Sequence, residues 1–439
     1  MNPVGAPPPF PPSMPARRLT TPDRETMLAH YARTEAACKV VLAVETLVVL
    51  ALAGWLIQRG SFPGGPWPWI ALALGSLGVF RWFVHHAFLS KKRIEHIRPD
   101  AQFGVHTRDS LVNLAGTVFD RLGLRRDAAP VFLTRAKDVN AHAIRCELWP
   151  GLHLFNGVFL NRSIIHLLDE AELASVIGHE LGHVFPYSPL LSRCYVIHSA
   201  FAGVVSLAAV AAFPEPGVAF FVPMALLWVL DWVIAYPHIR LSRAMEFLCD
   251  DHGARAAGLL PALSSEVKIA VEQETRQRLL LTVLKARKAG GGLNLHDLSE
   301  AYENAVPFGK ADPAQFEREF QKLTAEQRGN SREVSLGGFL SHLGGGDGEQ
   351  AEDWAGEQIE QLRKLDELPL LSLDREAYVR GSAAWTLDGA ARLAERIEAE
   401  PMNLLVRLEN ELADHEVTHP GASRRILFLW RNRHAYSLR

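Results

Sequence analysis

The chain has 439 residues, of which 48% are hydrophobic and 22% charged, and its formal net charge is −3. This composition is too polar for a protein embedded in a membrane throughout, and we predict no nucleic-acid partner, because neither a basic balance nor a DNA-binding module is present. The four cysteines lack C-x-x-C spacing, a pattern typical of small buried side chains in a reducing compartment.

The N-terminal region combines a polar leader with two apolar runs. Residues 1–16 are rich in proline and lack the apolar core of a signal peptide, so we predict a disordered cytoplasmic leader over residues 1–36. Residues 40–57 and 67–89 are each about long enough to cross a bilayer. Because basic residues flank both outer ends, we predict a transmembrane hairpin over residues 37–90 with its two ends in the cytoplasm.

A second pair of apolar runs covers residues 195–213 and 217–236 and predicts a second hairpin over residues 194–237 in the same orientation. The alternative is a buried helical hairpin of a soluble protein, because Asp231 and His198 would be costly in lipid. We favour the membrane, since polar side chains in such helices can face one another. Glu45 and Asp231 are accordingly interpreted as paired inside a four-helix cluster rather than as functional intramembrane groups.

Between the hairpins, residues 91–193 contain short strand patterns at 130–134, 141–144 and 153–155. They are followed by a buried helical pattern with the sequence His179-Glu180-Leu181-Gly182-His183. Residues four apart share one helical face, so both imidazoles can reach a single ion while Glu180 points into the same cleft. A catalytic zinc site takes three protein ligands and keeps one position for water. The motif therefore predicts a hydrolytic zinc site with Glu180 as the base and a third ligand elsewhere.

The candidate for that third ligand is Glu246, in the part of the chain that we assign to residues 238–439. Glu246 and Asp250 lie four apart on a helical face, which lets Glu246 bind metal while Asp250 accepts the other N–H of a ligand histidine. Taken alone, such an acidic pair is more often a solvated surface, and the upstream motif is what favours the metal interpretation. Helical patterns at residues 263–289, 313–327, 350–368 and 383–415 form an extension of unassigned role.

Together these features resemble the M48 family of membrane-embedded zinc metallopeptidases, which includes the bacterial HtpX-type proteases and the CAAX prenyl proteases. The resemblance implies a mainly α fold with a small β-sheet, that is, a gluzincin-type protease domain with four transmembrane helices in two hairpins. Further matches are Asn140-Ala141 on a strand along the substrate edge, Ser242-Arg243, and Thr418-His419-Pro420 followed by Arg425-Ile426. His142 and Gly421 depart from the family pattern, which leaves the metal residues intact but affects the substrate edge.

We therefore expect a multi-pass zinc endopeptidase of the bacterial inner membrane that cleaves membrane or membrane-proximal polypeptides on the cytoplasmic side. One Zn²⁺ per chain would be bound by His179, His183 and Glu246. His419 or Arg425 would donate to the oxyanion, as the resemblance implies; the alternative roles are a helix-end cap and a surface ion pair. The sequence does not indicate an oligomeric state.

Two other functions use the same residues. The first is a protease that processes prenylated or lipidated peptides, which would differ in the size of its chamber rather than in its zinc chemistry. The second is a catalytically silent membrane adaptor that keeps zinc for folding. Glu180 disfavours the adaptor, because structural zinc needs no general base and usually has four protein ligands.

Overall fold

The computed structural model describes most of the chain up to residue 288 and shorter segments after it. Its described part is mostly helical with a small β-sheet, which confirms this part of the expected fold. The described residues are 22–59, 91–134, 139–145, 156–187, 189–212, 216–288, 371, 381–399, 405–406 and 420–436.

The helices are numbered over these residues. They are α1 (Arg24–Gln58), α2 (Arg108–Arg121), α3 (Arg162–Leu167), α4 (Glu170–Val184), α5 (Pro189–Ala212), α6 (Pro216–Ala257), α7 (Leu259–Lys288), α8 (Leu387–Ala399) and α9 (Ala422–Arg431). Short 3₁₀ turns occupy Ile94–His96, Gly381–Ala384 and Arg433–Ala435.

The strands form a four-stranded sheet and a separate two-stranded ribbon. They are β1 (Lys91–Arg93), β2 (Gln102–Phe103), β3 (His106–Thr107), β4 (Val131–Thr134), β5 (Ala141–Ile144) and β6 (Gly157–Asn161). The larger sheet has the order β1-β4-β6-β5, with β4 and β6 parallel and the other pairs antiparallel. Among the described strands, β5 therefore lies at one edge of the sheet, with Ala141 opposite Leu160.

The β-sheet positions the motif helix by burying one face against it. Val131, Val158 and Leu160 on that face belong to the same buried cluster as Leu173 and Ile177 of α4. The strand expected at residues 153–155 lies outside the described residues. The strand that completes the sheet is β6, whose five residues are all buried.

A second core joins α7, α8 and α9 and places α9 against α6. Leu259, Leu263, Leu393, Ile426 and Leu429 are among its buried members. Because α7 follows α6 almost directly, this core holds α9 beside the last turns of α6. The C-terminal element is thus brought near Glu246 and Asp250 by packing rather than by sequence proximity.

Helix α1 begins at Arg24, well before residue 37, where we expected the leader to end. Asp23 caps the helix by accepting a hydrogen bond from the Thr26 backbone N–H at 2.7 Å. Among the described helices, α1 alone is long and apolar enough to cross a membrane by length and composition. Residues 1–21 lie outside the described part of the chain.

Helix α6 is continuous over 42 residues and contains both the second run of the expected hairpin and the residues Glu246 and Asp250. The boundary that we placed at residue 238 therefore falls inside a helix. Helix α5 likewise includes most of the run at 195–213. Of the four expected transmembrane helices, the run at 67–89 lies outside the described residues, as do the helical patterns expected at 313–327 and 350–368.

Candidate metal centre

Helix α4 is defined by caps at both ends. At its N-terminus, Asp169 accepts from the Glu172 backbone N–H at 2.9 Å, while the Glu172 side chain accepts from the Asp169 N–H at 2.8 Å. At its C-terminus, Arg145, the residue after β5, donates to the Val184 carbonyl at 2.5 Å. These interactions fix where the helix begins and ends, and therefore where the two histidines of the motif lie.

Three glycines let α4 approach α6 closely. A Cβ at Gly253 would lie 2.6 Å from the Ser175 carbonyl oxygen, and one at Gly178 would lie 2.8 Å from the Ala256 Cβ. A Cβ at Gly182 would meet the Cys249 sulfur at 3.0 Å. Because side chains cannot fit there without a shift, glycine at these positions brings the α4 histidines within reach of α6.

The close packing gathers three donors with the spacing of zinc ligands. His179 Nε2 lies 3.1 Å from His183 Nε2 and 3.4 Å from Glu246 Oε2, and His183 Nε2 lies 3.4 Å from Glu246 Oε1. Tetrahedral zinc with bonds of about 2.0–2.2 Å separates its ligand atoms by about 3.3–3.6 Å. Within the described part of the chain, this is the group of three side chains that fits a metal ion.

Electrostatics at the donor cluster favour a cation. Burial lowers the pKa of His179, but hydrogen bonds and charge from Asp250 and Glu246 outweigh burial and raise it to about 10. The Nδ1 atom of His179 lies 2.8 Å from Asp250 Oδ1, which directs Nε2 towards the cluster. Glu246 and Asp250 are themselves almost fully buried. Two buried carboxylates thus lie against the histidines, and their negative charge favours a cation there.

Glu180 lies on the same helix as the two histidines and is itself buried. Burial is the main cause that raises the pKa of its carboxyl group to about 7, with His179 acting in the opposite direction and Glu246 adding to the increase. The side chains of His179 and His183 retain 14% and 16% exposure, so the donor cluster is open to a small molecule. A buried carboxyl group therefore lies next to an accessible pair of imidazoles.

Arg425 of α9 contacts Asp250 beside His179, because its Nη2 atom lies 3.4 Å from His179 Nδ1. Its guanidinium donates to both Asp250 oxygens, through Nε to Oδ2 at 2.8 Å and through Nη2 to Oδ1, and it also pairs with Glu266 of α7 at 2.8 Å. The Arg425 charge helps to keep the pKa of Asp250 below its ordinary value, against the effect of burial. Arg425 therefore touches the group that orients His179.

Asp251, the next residue along α6, joins the first helix to the end of the chain. It accepts hydrogen bonds from Arg24 Nε at 3.0 Å, Arg255 Nε at 2.8 Å and the Tyr436 hydroxyl at 3.0 Å. The Arg24 backbone N–H also donates to Asn432 Oδ1 at 3.0 Å. The helix that carries Glu246 is therefore attached to the N-terminal end of α1 and to the segment after α9.

The other residues predicted for the site are placed only in part. Asn140 and Ala141 lie at the start of edge strand β5, where the Asn140 carbonyl accepts from the Asn161 N–H at 3.2 Å. His142 stacks on Phe159 with ring centroids 4.9 Å apart. His419 lies outside the described residues, so its proposed role stays a prediction. Cys38 and Cys249 are buried and unpaired with each other, in agreement with the interpretation of small buried side chains.

Sequence reasoning missed Glu266, Asp251 and the glycine contacts. Glu266 pairs with Arg425, and Asp251 accepts from Arg24 and Tyr436, all of which lie more than 150 residues away in sequence. The glycines did carry a signal, because Gly178 and Gly182 lie four apart on the helix of the motif. Glycine lowers the stability of a helix, so two glycines on one face indicate that another backbone approaches there.

Two imidazoles and a carboxylate at metal spacing, beside a buried glutamate, define the class of metal-dependent hydrolases. The family model of peptidase family M48 matches residues 113–431, which is more than half of the chain. The chain therefore belongs to peptidase family M48, and this membership supports a metallopeptidase function. No curated protein and no solved structure matches the chain.

Proposed function

We propose that this M48 peptidase is a membrane-embedded, zinc-dependent endopeptidase that hydrolyses membrane or membrane-proximal polypeptides. The observation that carries the proposal is the spacing of His179, His183 and Glu246, because three donors 3.1–3.4 Å apart fit one tetrahedral ion. With three protein ligands, the fourth position stays available for chemistry. A purely structural zinc site would fill it with a fourth protein ligand.

A bound zinc ion supplies Lewis-acid chemistry to water and to the peptide carbonyl group. Asp250 accepts a hydrogen bond from Nδ1–H of His179 and so fixes the tautomer of this ring, which leaves Nε2 as the ligand atom. Glu180 accepts the proton of the attacking water and delivers it to the leaving amine. His419 and Arg425 stay candidates for donors to the oxyanion, and the contacts of Arg425 add a second role, which is to position Asp250.

Edge strand β5 supports a place for the substrate. A peptide in extended conformation can add to an exposed sheet edge by backbone hydrogen bonds, and β5 lies at the edge of the sheet beside α4. The Gln273 side chain donates to the Val139 carbonyl at 3.1 Å and so fixes the entrance of this strand. We assign Asn140 and Ala141 to contacts with the substrate backbone.

The surface of α1 supports the membrane placement. Val40, Val44, Leu47 and Leu50 lie on one face of the helix, and each is more than half exposed. The opposite face packs against α5 and α6, where buried Glu45 meets His198 at 2.9 Å. An apolar outer face and a polar pair turned inward are the arrangement expected of a helix in lipid. We extend this placement to the two predicted hairpins, and hence to four spans.

The distribution of basic residues supports a cytoplasmic site in a bacterial inner membrane. Arg24 and Arg33 precede the apolar part of α1, and the end of α1 that contains Arg24 bonds to α6 beside Asp250. The positive-inside rule then places the donor cluster on the cytoplasmic side. The substrates we propose are accordingly polypeptides in or near the cytoplasmic face.

Metal analysis and proteolysis of one preparation test the chemistry. The purified full chain should contain one zinc per chain and cleave an unfolded membrane-protein substrate, and a chelator should abolish cleavage until zinc is restored. Zinc bound without cleavage of any polypeptide would indicate the adaptor. Cleavage restricted to prenylated or lipidated peptides would indicate the processing protease.

Cysteine labelling tests the topology separately. In a cysteine-free variant, single cysteines placed at residues 60–65 or 214–216 should react with an impermeant reagent added outside cells. A cysteine placed at Arg108 should react only after the cells are opened. The reverse pattern would contradict the cytoplasmic site without affecting the zinc chemistry.

A further inference from the structure

A cavity of about 410 Å³ lies between α1, α6 and α9, apart from the donor cluster. Its walls combine apolar and basic side chains from these three helices. They include Met27, His30 and Arg33 of α1, Arg240 and Phe247 of α6, and Arg424 of α9. The peptidase chemistry proposed above uses none of these six residues, so the cavity needs an explanation of its own.

The cavity has a positive electrostatic environment. Three arginines and a histidine line it, and none of its lining residues is acidic. Burial and the charges of Arg240 and Arg33 lower the pKa of His30. Bringing these basic groups together is favourable when an anion lies among them.

The position of the cavity matches the border of the proposed membrane. Arg33 lies seven residues before Val40, the first residue of the exposed apolar face of α1, which is about 10 Å along a helix. Arg240 lies four residues after the apolar run of α6 that ends at residue 236. Arginines at this depth lie at the level of lipid headgroups.

Two residues that line the cavity are adjacent in sequence to residues of the metal centre. Phe247 follows Glu246 on α6, and Arg424 precedes Arg425, which bonds Asp250. A ligand that contacts α1, α6 and α9 together would connect the three helices that Asp251 and Arg425 already join. Occupancy of the cavity is therefore expected to stabilise the placement of α6.

We propose that this cavity binds the phosphate group of an anionic phospholipid from the cytoplasmic leaflet. Arginine guanidinium groups suit phosphate because they donate in pairs, and Met27 and Phe247 suit the apolar part of a lipid near its headgroup. The proposal rests on the membrane placement of α1 given above and not on the peptidase chemistry.

Native mass spectrometry of the detergent-solubilised full chain tests the binding with phosphatidylglycerol and phosphatidylcholine as probes. The parent should retain phosphatidylglycerol in preference to phosphatidylcholine. Arg33→Gln with Arg240→Gln should weaken retention about 25-fold, at about fivefold for each arginine. The matched control, Arg125→Gln with Arg392→Gln, removes the same charge from side chains that are 84% and 70% exposed, and it should bind as the parent does.

Inorganic phosphate, titrated by calorimetry, distinguishes the source of the phosphate group. Weak binding of inorganic phosphate beside tight binding of phosphatidylglycerol supports the lipid. Tight binding of inorganic phosphate that is lost in the Arg33/Arg240 variant, without preference for the lipid, overturns the lipid and assigns a soluble phosphate compound. Equal loss in the variant and its control overturns the proposal, because general charge then explains the binding.

A second variant tests the proposal even if the arginine variant does not fold. Thr26 is exposed at the wall of the cavity, so Thr26→Trp should obstruct the cavity while every charge remains. It should lose phosphatidylglycerol as the arginine variant does, and retention at the parental level would overturn the proposal. Alkaline extraction of membranes tests insertion independently, so a chain that is extracted contradicts the membrane placement itself rather than the lipid cavity.

Discussion

Helices α4 and α6 contribute to the same donor cluster but are held in place by different kinds of interaction. Helix α4 has 15 residues, and its N-terminal cap is formed by its own neighbours Asp169 and Glu172. Helix α6 has 42 residues, and its last turns are held by Arg24, Tyr436 and Arg425, which come from the two ends of the described chain.

Because of this difference, the two helices should govern different properties of the site. The positions of His179, Glu180 and His183 relative to one another follow from helix geometry and hold wherever α4 forms. The position of Glu246 relative to them depends on the register of α6, which distant partners determine. Changes in the motif of α4 should therefore alter the reaction, whereas changes in the partners of α6 should alter metal binding and stability.

The largest expected effect is that of Glu180→Gln. Removing the base while sparing all three ligands should lower the cleavage rate by about 10²–10⁴ and leave the zinc content unchanged. Cleavage rate and zinc content are measured on the same preparation. Glu170→Gln, which changes an exposed acid of the same helix, should keep the parental rate. Near-parental activity of Glu180→Gln would refute its role as the base.

The next effect concerns Asp250 of α6, which orients His179. Asp250→Asn should weaken zinc binding about 10–100-fold, because the side chain that orients His179 loses its charge. A zinc titration with a competing chelator measures this change, and Asp109→Asn, at an exposed carboxylate of α2, is the control. Zinc binding at the parental level in Asp250→Asn would show that His179 is oriented by other contacts.

Arg425→Gln distinguishes two roles of Arg425. If the guanidinium positions Asp250, as its bonds to both carboxylate oxygens indicate, zinc affinity should fall in the same direction as in Asp250→Asn but by less. If Arg425 instead donates to the oxyanion, kcat should fall while zinc affinity stays the same. Measuring both quantities on one preparation decides between the roles.

Gly253→Ala should push α6 away from α4. The added Cβ would meet the Ser175 carbonyl, so we expect a loss of about 1–3 kcal/mol in stability together with weaker zinc binding. Gly389→Ala in α8 is the control, because its Cβ meets only Thr386 Oγ1 at 3.3 Å. Thermal unfolding is followed for both variants, and an unchanged midpoint for Gly253→Ala would contradict the close approach.

The smallest expected effect is that of Arg24→Gln, which removes one of three donors to Asp251. A loss of about 1 kcal/mol is expected, since Arg24 is partly exposed while Arg255 and Tyr436 keep their bonds to the carboxylate. The control Arg392→Gln breaks an exposed pair with Asp388. Equal thermal midpoints for the two variants would show that the attachment of α1 to α6 contributes little.

The sequence allowed the family and part of the candidate site to be predicted. His179 and His183 are four apart, so one helical turn brings them together, and Glu246 and Asp250 show the same spacing on a second helix. The mainly helical fold with a small sheet followed from apolar periodicity and the resemblance. The start of α1 at Arg24 was missed, because the helix continues through a polar stretch that gives no apolar signal.

What the sequence by itself determined about this protein is local: the helical motif, the acidic pair four residues apart, and the apolar run of α1. Local geometry suffices there, because hydrogen bonds within one helix fix side chains three and four apart. Only the tertiary structure decided that Arg425 contacts both Asp250 and Glu266, and that Arg24 and Tyr436 meet at Asp251. These contacts join residues far apart in sequence, and only the packing of α1, α7 and α9 against α6 brings them within bonding distance.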